Sequence, residues 1–206
     1  MKTDARWLDM WRLLELRVPP DVVYQQLLSR YAEAHRAYHT AQHLDECLAL
    51  FEDLRGAMQR PGEVACALWY HDAVYEPKAG DNEARSADLA VDALTNAGAR
   101  PDQVSRIRSL IMDTTHTAEP AGTDGSLLVD IDLAILGAAP ERFAEYETQI
   151  RAEYSWVPGI VYRFERRRVL TGFLSRKPIY RSEPMRLRFE DRARENLQRA
   201  VGAGVE

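Results

Sequence analysis

The stretch Val64-Ala65-Cys66-Ala67-Leu68-Trp69-Tyr70-His71-Asp72-Ala73-Val74-Tyr75 decides how the chain is read. Val64 to Tyr70 is almost wholly apolar, opens just after Pro61 and is followed at Pro77 by a helix breaker. That pattern predicts a helix buried on most of its faces. His71 and Asp72 stand at its end, where a histidine and a carboxylate are costly to bury unless something pairs with them. Neighbouring helical residues point about 100° apart, so the two reach one ion only where the helix stops.

Outward from this segment, helical periodicity dominates and no segment alternates as a strand would. Trp7 to Leu16 forms an amphipathic helix stopped by Pro19-Pro20, and Val22 to Tyr31 forms a second. Thr40 is the N-cap of a helix through Leu54. Asp81 or Asn82 caps another through Ala97, closed by Gly98 in a left-handed conformation. Pro101 opens a helix to about Thr114, Thr117 to Gly125 is a surface loop, and Ser126 caps Leu127 to Leu136. Helices over Glu141–Tyr154, Ile160–Leu174 and about Arg188–Val201 complete the chain. Without a repeat, low-complexity tract or linker, residues 1–206 read as a single all-α domain.

The 206 residues suffice for one full hydrophobic core, and the composition (46% hydrophobic, 29% charged) is that of a soluble protein. No run of 18 apolar residues and no signal peptide is present, so a cytoplasmic location and no membrane partner are expected. Cys47 and Cys66 both fall in apolar helical patterns and read as packing residues rather than a disulfide. The net charge of −5 is unevenly spread: residues 151–200 hold 13 Lys+Arg against 6 Asp+Glu, a net of +7 that leaves −12 elsewhere. This basic third either pairs with the acidic remainder or receives an anionic substrate. Aromatics are not interleaved with its basic residues, so specific nucleic-acid binding is not expected.

His35, His39 and His43 are four apart and would form one stripe on a continuous helix, but a cap at Thr40 breaks it and leaves His43 in the first turn. Asp130 and Asp132, inside Leu127–Leu136, point about 200° apart on a helix. One suits a metal ligand and the other a cap, an ion-pair partner or an acceptor behind a ligand, and the residues alone leave the assignment open. Imidazole with carboxylate suits a divalent Mn, Fe, Co, Ni, Zn or Mg ion. Such an ion lowers the pKa of a bound water and polarises a phosphoryl oxygen. His116 follows a helix end and suits a phosphate contact or a second ion. Glu83 and Ser86, three apart on one helix face, suit a proton shuttle and a hydrogen-bond donor closing over the site. Glu83 equally suits an acid favoured by the helix dipole.

His43, then His71-Asp72, then Asp132 resembles the H…HD…D signature of the HD superfamily of metal-dependent phosphohydrolases. The match is closest to a bacterial subgroup of predicted metal-dependent HD phosphohydrolases and runs through most of the chain. It includes Tyr38-His39-Thr40-Ala41-Gln42-His43-Leu44, Trp69–Tyr75, Asp81-Asn82-Glu83 with Ser86-Ala87, Asp130–Gly137 and Phe173–Tyr180. The resemblance implies an HD-type helical bundle, with a metal core at about 36–137 and C-terminal helices over 141–202 packing on it. It implies His43, His71, Asp72 and Asp132 as metal ligands, Asp72 orienting the attacking water, and His39 beside the site. Arg36, Lys177 and the Arg166–Arg168 run are then candidates to hold phosphate.

The activity so implied is hydrolysis of a phosphate ester or anhydride of a nucleotide or another small phosphorylated molecule. The alternative is a metal-containing nucleotide-binding or regulatory module that does not cleave. A structural zinc on the His35-His39-His43 stripe is a third reading, although the Cys-rich spacing usual for that role and a His-Glu-x-x-His motif are both lacking. A homo-oligomer is compatible with all three.

Overall fold

A computed structural model describes residues 3–120 and 122–202. Among them the regular structure is entirely helical, as the sequence predicts. The α-helices are α1 (Ala5–Leu13), α2 (Asp21–Tyr31), α3 (Ala41–Leu54), α4 (Pro61–Tyr70), α5 (Asn82–Asn96), α6 (Pro101–Asp113), α7 (Gly122–Asp132), α8 (Pro140–Glu153), α9 (Gly159–Ser175) and α10 (Glu183–Gly202). Short 3-10 turns follow α3 at Arg55–Ala57 and α7 at Leu133–Gly137. No helix among the described residues is long and apolar enough to cross a membrane. The chain divides into two compact units between Val129 and Asp130, inside α7.

In the first unit α4 is the centre, buried at every position from Gly62 to Tyr70. Helices α1, α3, α5 and α6 pack against it. Pro61 supplies its first helical residue, where the missing N–H costs nothing. Asp124 accepts from Gln59 N and Arg60 N at 2.8 Å each, fixing the approach to α4. Trp7, Trp11 and Trp69 meet edge to face, with Trp7 centroids 5.5 Å from Trp11 and 5.3 Å from Trp69. Glu63, buried in α4, receives Arg106 of α6 through two nitrogens at 2.8 and 2.6 Å. A planar guanidinium suits that bidentate contact.

Gly62 lets α1 come close to α4: a Cβ there would sit 2.8 Å from the Leu13 carbonyl carbon and 2.9 Å from its oxygen. Backbone cannot swing aside as a side chain can. Gly62→Ala is therefore expected to cost about 1–3 kcal/mol, read as a lower denaturant midpoint, whereas Gly56→Ala, which meets nothing within 4 Å, should be mild by comparison.

Two helix starts differ from the sequence reading. α7 begins at Gly122, not at Ser126, because Ser126 Oγ donates to the Gly122 carbonyl at 2.8 Å from within the helix instead of capping it. α10 begins at Glu183, not near Arg188, with Pro184 as its second residue. Gly98, by contrast, ends α5 at φ +89°, as its position predicts.

In the second unit α10 packs on Leu133–Gly137 and on α9. Asn196 Nδ2 donates to the carbonyls of Leu136 and Ala138 at 2.9 and 3.0 Å, and Tyr180 Oη donates to Leu133 O at 3.1 Å. Asp130, wholly buried, accepts from Arg181 N (2.9 Å), Ser182 N (2.6 Å) and Ser182 Oγ (2.6 Å), which sets the entry to α10. Several arginines of the basic third pair with acids of the same unit. Arg166 pairs with Glu147 and lies 4.9 Å over the Tyr146 ring, Arg168 meets Glu165 at 2.7 Å, and Arg194 meets Glu190 at 2.6 Å.

Candidate metal centre

Two helices of the first unit bring the site together. Thr40 caps α3 by accepting from Gln42 N at 3.3 Å, so α3 starts at Ala41 and His43 lies in its first turn with its ring turned inward. Helix α4 stops at Tyr70, and His71-Asp72 turn off its end. His71 Nδ1 lies 2.8 Å from the Leu68 carbonyl oxygen. A carbonyl only accepts, so Nδ1 carries the proton and Nε2 turns its lone pair into the site.

There His43 Nε2 and His71 Nε2 are 3.2 Å apart. Asp72 Oδ2 lies 3.1 Å from His71 Nε2 and 3.4 Å from His43 Nε2. Two donor atoms about 2.1 Å from one ion are about 3.0 Å apart at a right angle and about 3.4 Å apart at a tetrahedral angle. The three spacings fall in that range. Lone pairs this close repel unless a cation, a proton or a metal ion, lies among them. Cys47, one turn along α3 from His43, places Sγ 3.8 Å from both nitrogens of that ring. His43, Cys47 and His71 each put a ligand atom within 4.8 Å of the other two, and all three are buried.

The residues therefore fit a divalent metal ion, as two imidazoles, a carboxylate and a thiol. Burial alone would raise the pKa of the Asp72 carboxyl, but His71, His39 and His43 outweigh it and hold the group well below the usual carboxylate range.

The other candidate residues take varied places. His39 stacks on Tyr75 with centroids 4.0 Å apart and presents its ring edge-on to His43 at 6.0 Å. Glu83 is half-buried in the first turn of α5. Ser86 is wholly buried, its Oγ accepting from Val74 N at 2.9 Å and donating to Val74 O at 3.3 Å. Its hydroxyl ties α5 to the segment after Asp72. Arg36, considered above for phosphate, has its guanidinium enclosed in protein. It meets Glu33 at 3.0 Å, the carbonyls of His39 and Asp72 at 3.0 and 2.7 Å, and that of Ala73 at 3.2 Å. It clamps the His71-Asp72 turn onto the segment that carries His39. His116 follows α6 in a left-handed conformation, φ +55°, which a β-carbon makes unfavourable.

In the second unit, Lys177 is exposed between α9 and α10, and Asp132 is the half-buried last residue of α7. Asp130 spends both carboxylate oxygens on the entry to α10, which makes it the cap of the aspartate pair. His35, His39 and His43 share no helix, since α2 ends at Tyr31 and α3 starts at Ala41. His35 Nε2 instead lies 2.7 Å from the Tyr75 carbonyl.

Cys47 is the member of the group that sequence reasoning set aside as a packing residue. Its signal was the four-residue spacing from His43, which puts both on one face of α3. Cys66, fully buried in α4, has its thiol pushed up by burial and belongs to the core.

Comparison with known proteins adds no assignment: no family model, no curated protein and no solved structure matches the chain.

Proposed function

We propose that this protein is a metal-dependent phosphohydrolase acting on a nucleotide or another small phosphorylated molecule. The observation that carries the reading is the convergence of His43 Nε2, His71 Nε2 and Asp72 Oδ2 at 3.1–3.4 Å from one another at a helix end. The resemblance of His43, His71-Asp72 and Asp132 to the H…HD…D signature directs it towards phosphate chemistry, and Asp132 enters as the fourth ligand from that signature alone. A divalent ion held there supplies a water of lowered pKa and a Lewis acid for a phosphoryl oxygen.

The chain's own residues do the rest. Asp72, ionised beside a bound cation, would accept a hydrogen bond and so orient the attacking water. His71 keeps Nε2 unprotonated because its other nitrogen is held by Leu68. Arg36 and Ser86 hold the backbone from Asp72 to Val74, so the carboxylate does not drift from the histidines. His39 stands beside the ligands as a substrate contact, Glu83 is the proton shuttle, and His116 and Lys177 are the contacts for phosphate.

The test is elemental analysis of the purified protein followed by a screen of phosphomonoesters, nucleotides and cyclic dinucleotides with Mg, Mn, Fe, Co, Ni or Zn added singly. Metal-dependent product release from one class, lost in Asp72→Asn and reduced in Asp132→Ala, is the expected result. Tight binding of a nucleotide without product would make the protein a non-cleaving binding module. Full turnover in a protein stripped of metal would end the proposal.

A further inference from the structure

Cys47 lies in the wall of the metal centre, on the same face of α3 as His43, and is buried to 2% exposure. Its Sγ is 3.8 Å from both His43 ring nitrogens, and it joins His43 and His71 in a group whose ligand atoms are all within 4.8 Å. A zinc-like ion with a thiolate at about 2.3 Å and an imidazole nitrogen at about 2.1 Å separates the two donors by about 3.6 Å at the tetrahedral angle. The spacing found is close to that, but its equality for the two ring nitrogens sets the sulfur midway between them and not on the Nε2 side, so ligation requires the Cys47 side chain and the His43 ring to rotate towards one ion. A cysteine that served only to fill space would have no need to face two imidazoles; Cys66, one helix away, is such a filler.

We infer that Cys47 is a ligand of this centre and that its thiolate selects the ion. The inference rests on the metal-centre reading above but not on the hydrolytic one. On binding, the thiol proton passes to solvent and the sulfur electron pair to the metal. A soft thiolate beside two imidazoles and a carboxylate favours Zn, Co or Fe(II) over Mg and Mn, which bind all-oxygen sites better. This narrows the range of ions that the histidines and carboxylates alone allow.

The experiment uses the full chain, stripped by chelation and titrated with Co2+, in the wild type and in Cys47→Ser and Cys66→Ser. Visible d–d absorption reports that cobalt is bound, and a near-ultraviolet thiolate-to-cobalt charge-transfer band reports a sulfur ligand. The wild type and Cys66→Ser should show both signals. Cys47→Ser should keep the d–d absorption, lose the charge-transfer band, and bind Zn2+ about tenfold or more weakly, with Mn2+ affinity changed much less. Helical circular dichroism and thermal melts of the apo forms establish that each variant is folded.

Cobalt bound without a charge-transfer band in the wild type overturns the role of Cys47 and leaves the metal centre standing. Loss of the band in Cys66→Ser instead of Cys47→Ser also overturns it. No cobalt absorption in folded wild-type protein removes the centre itself, and Cys47's role with it. Equal Zn2+ affinity in the wild type and Cys47→Ser overturns the selection.

Discussion

His71→Ala is expected to empty the metal centre and to abolish the stabilisation that a bound ion confers. The imidazole is buried at 1% exposure and stands 3.2 Å from His43 and 3.1 Å from Asp72, so its loss removes one of three converging donors at once. A ligand that binds only the folded chain stabilises it by RT ln(1 + [L]/Kd), about 2.7 kcal/mol at a hundred times Kd. The wild type should gain about that much in denaturant melts when its best ion is added, and His71→Ala should gain nothing. Metal per chain after dialysis should fall from near one to near zero. Asp72→Asn, which keeps the shape and removes the charge, should weaken binding about a hundredfold or more, beyond the range typical of a partner that only orients a ligand. A metal-dependent rise in stability that survives in the His71→Ala, Asp72→Asn double variant would place the ion somewhere else.

Asp130→Ala is expected to be the most damaging change in the second unit and to act on the fold rather than on the metal. Asp130 is 0% exposed, and its removal leaves the amides of Arg181 and Ser182 and the Ser182 hydroxyl without their acceptor. Losing charge-assisted bonds of this kind while their donors stay partly buried costs about 3 kcal/mol. Asp130→Asn, which retains one acceptor oxygen, should cost less. The check is a pair of denaturant curves with amide exchange at Arg181 and Ser182, which should become fast in Asp130→Ala. Metal per chain should be unchanged in Asp130→Ala but reduced in Asp132→Ala. The opposite pattern would exchange the roles assigned to the two aspartates.

Much of the fold was legible because its signals are local. Val64–Tyr70 is too apolar to lie on a surface, Gly98 suits a left-handed C-terminus, and Thr40 can cap only the helix on its C-terminal side. The two misplaced helix starts have causes of another kind. Ser126 has the composition of a cap but bonds back to Gly122, and the approach to α10 is held by Asp130, some fifty residues earlier in the chain. A residue type can announce a cap, but which backbone group its oxygen meets depends on chain that lies elsewhere.

The same division runs through the candidate site. His43 and the His71-Asp72 pair could be singled out by burial and helix ends, since a polar group at the end of an apolar helix needs a reason to be there. Arg36 and Ser86 looked like substrate contacts because a guanidinium and a hydroxyl are donors wherever they occur. Tertiary structure turned them inward, onto the carbonyls of Asp72 and Ala73 and the backbone of Val74. Cys47 went the other way: its apolar setting reads as packing, although the four-residue spacing already sets its sulfur beside the His43 ring, and the approach of α3 to the end of α4 adds His71.

By itself, then, the sequence determined the all-helical class, the central place of α4 and the two histidines and aspartate that converge, because periodicity, capping and the cost of burial act over a few residues. Tertiary structure decided which donors are spent on backbone carbonyls, which aspartate caps α10, and that His71 meets His43. Those outcomes depend on distances of 3–4 Å between segments far apart in the chain, and no local pattern encodes them.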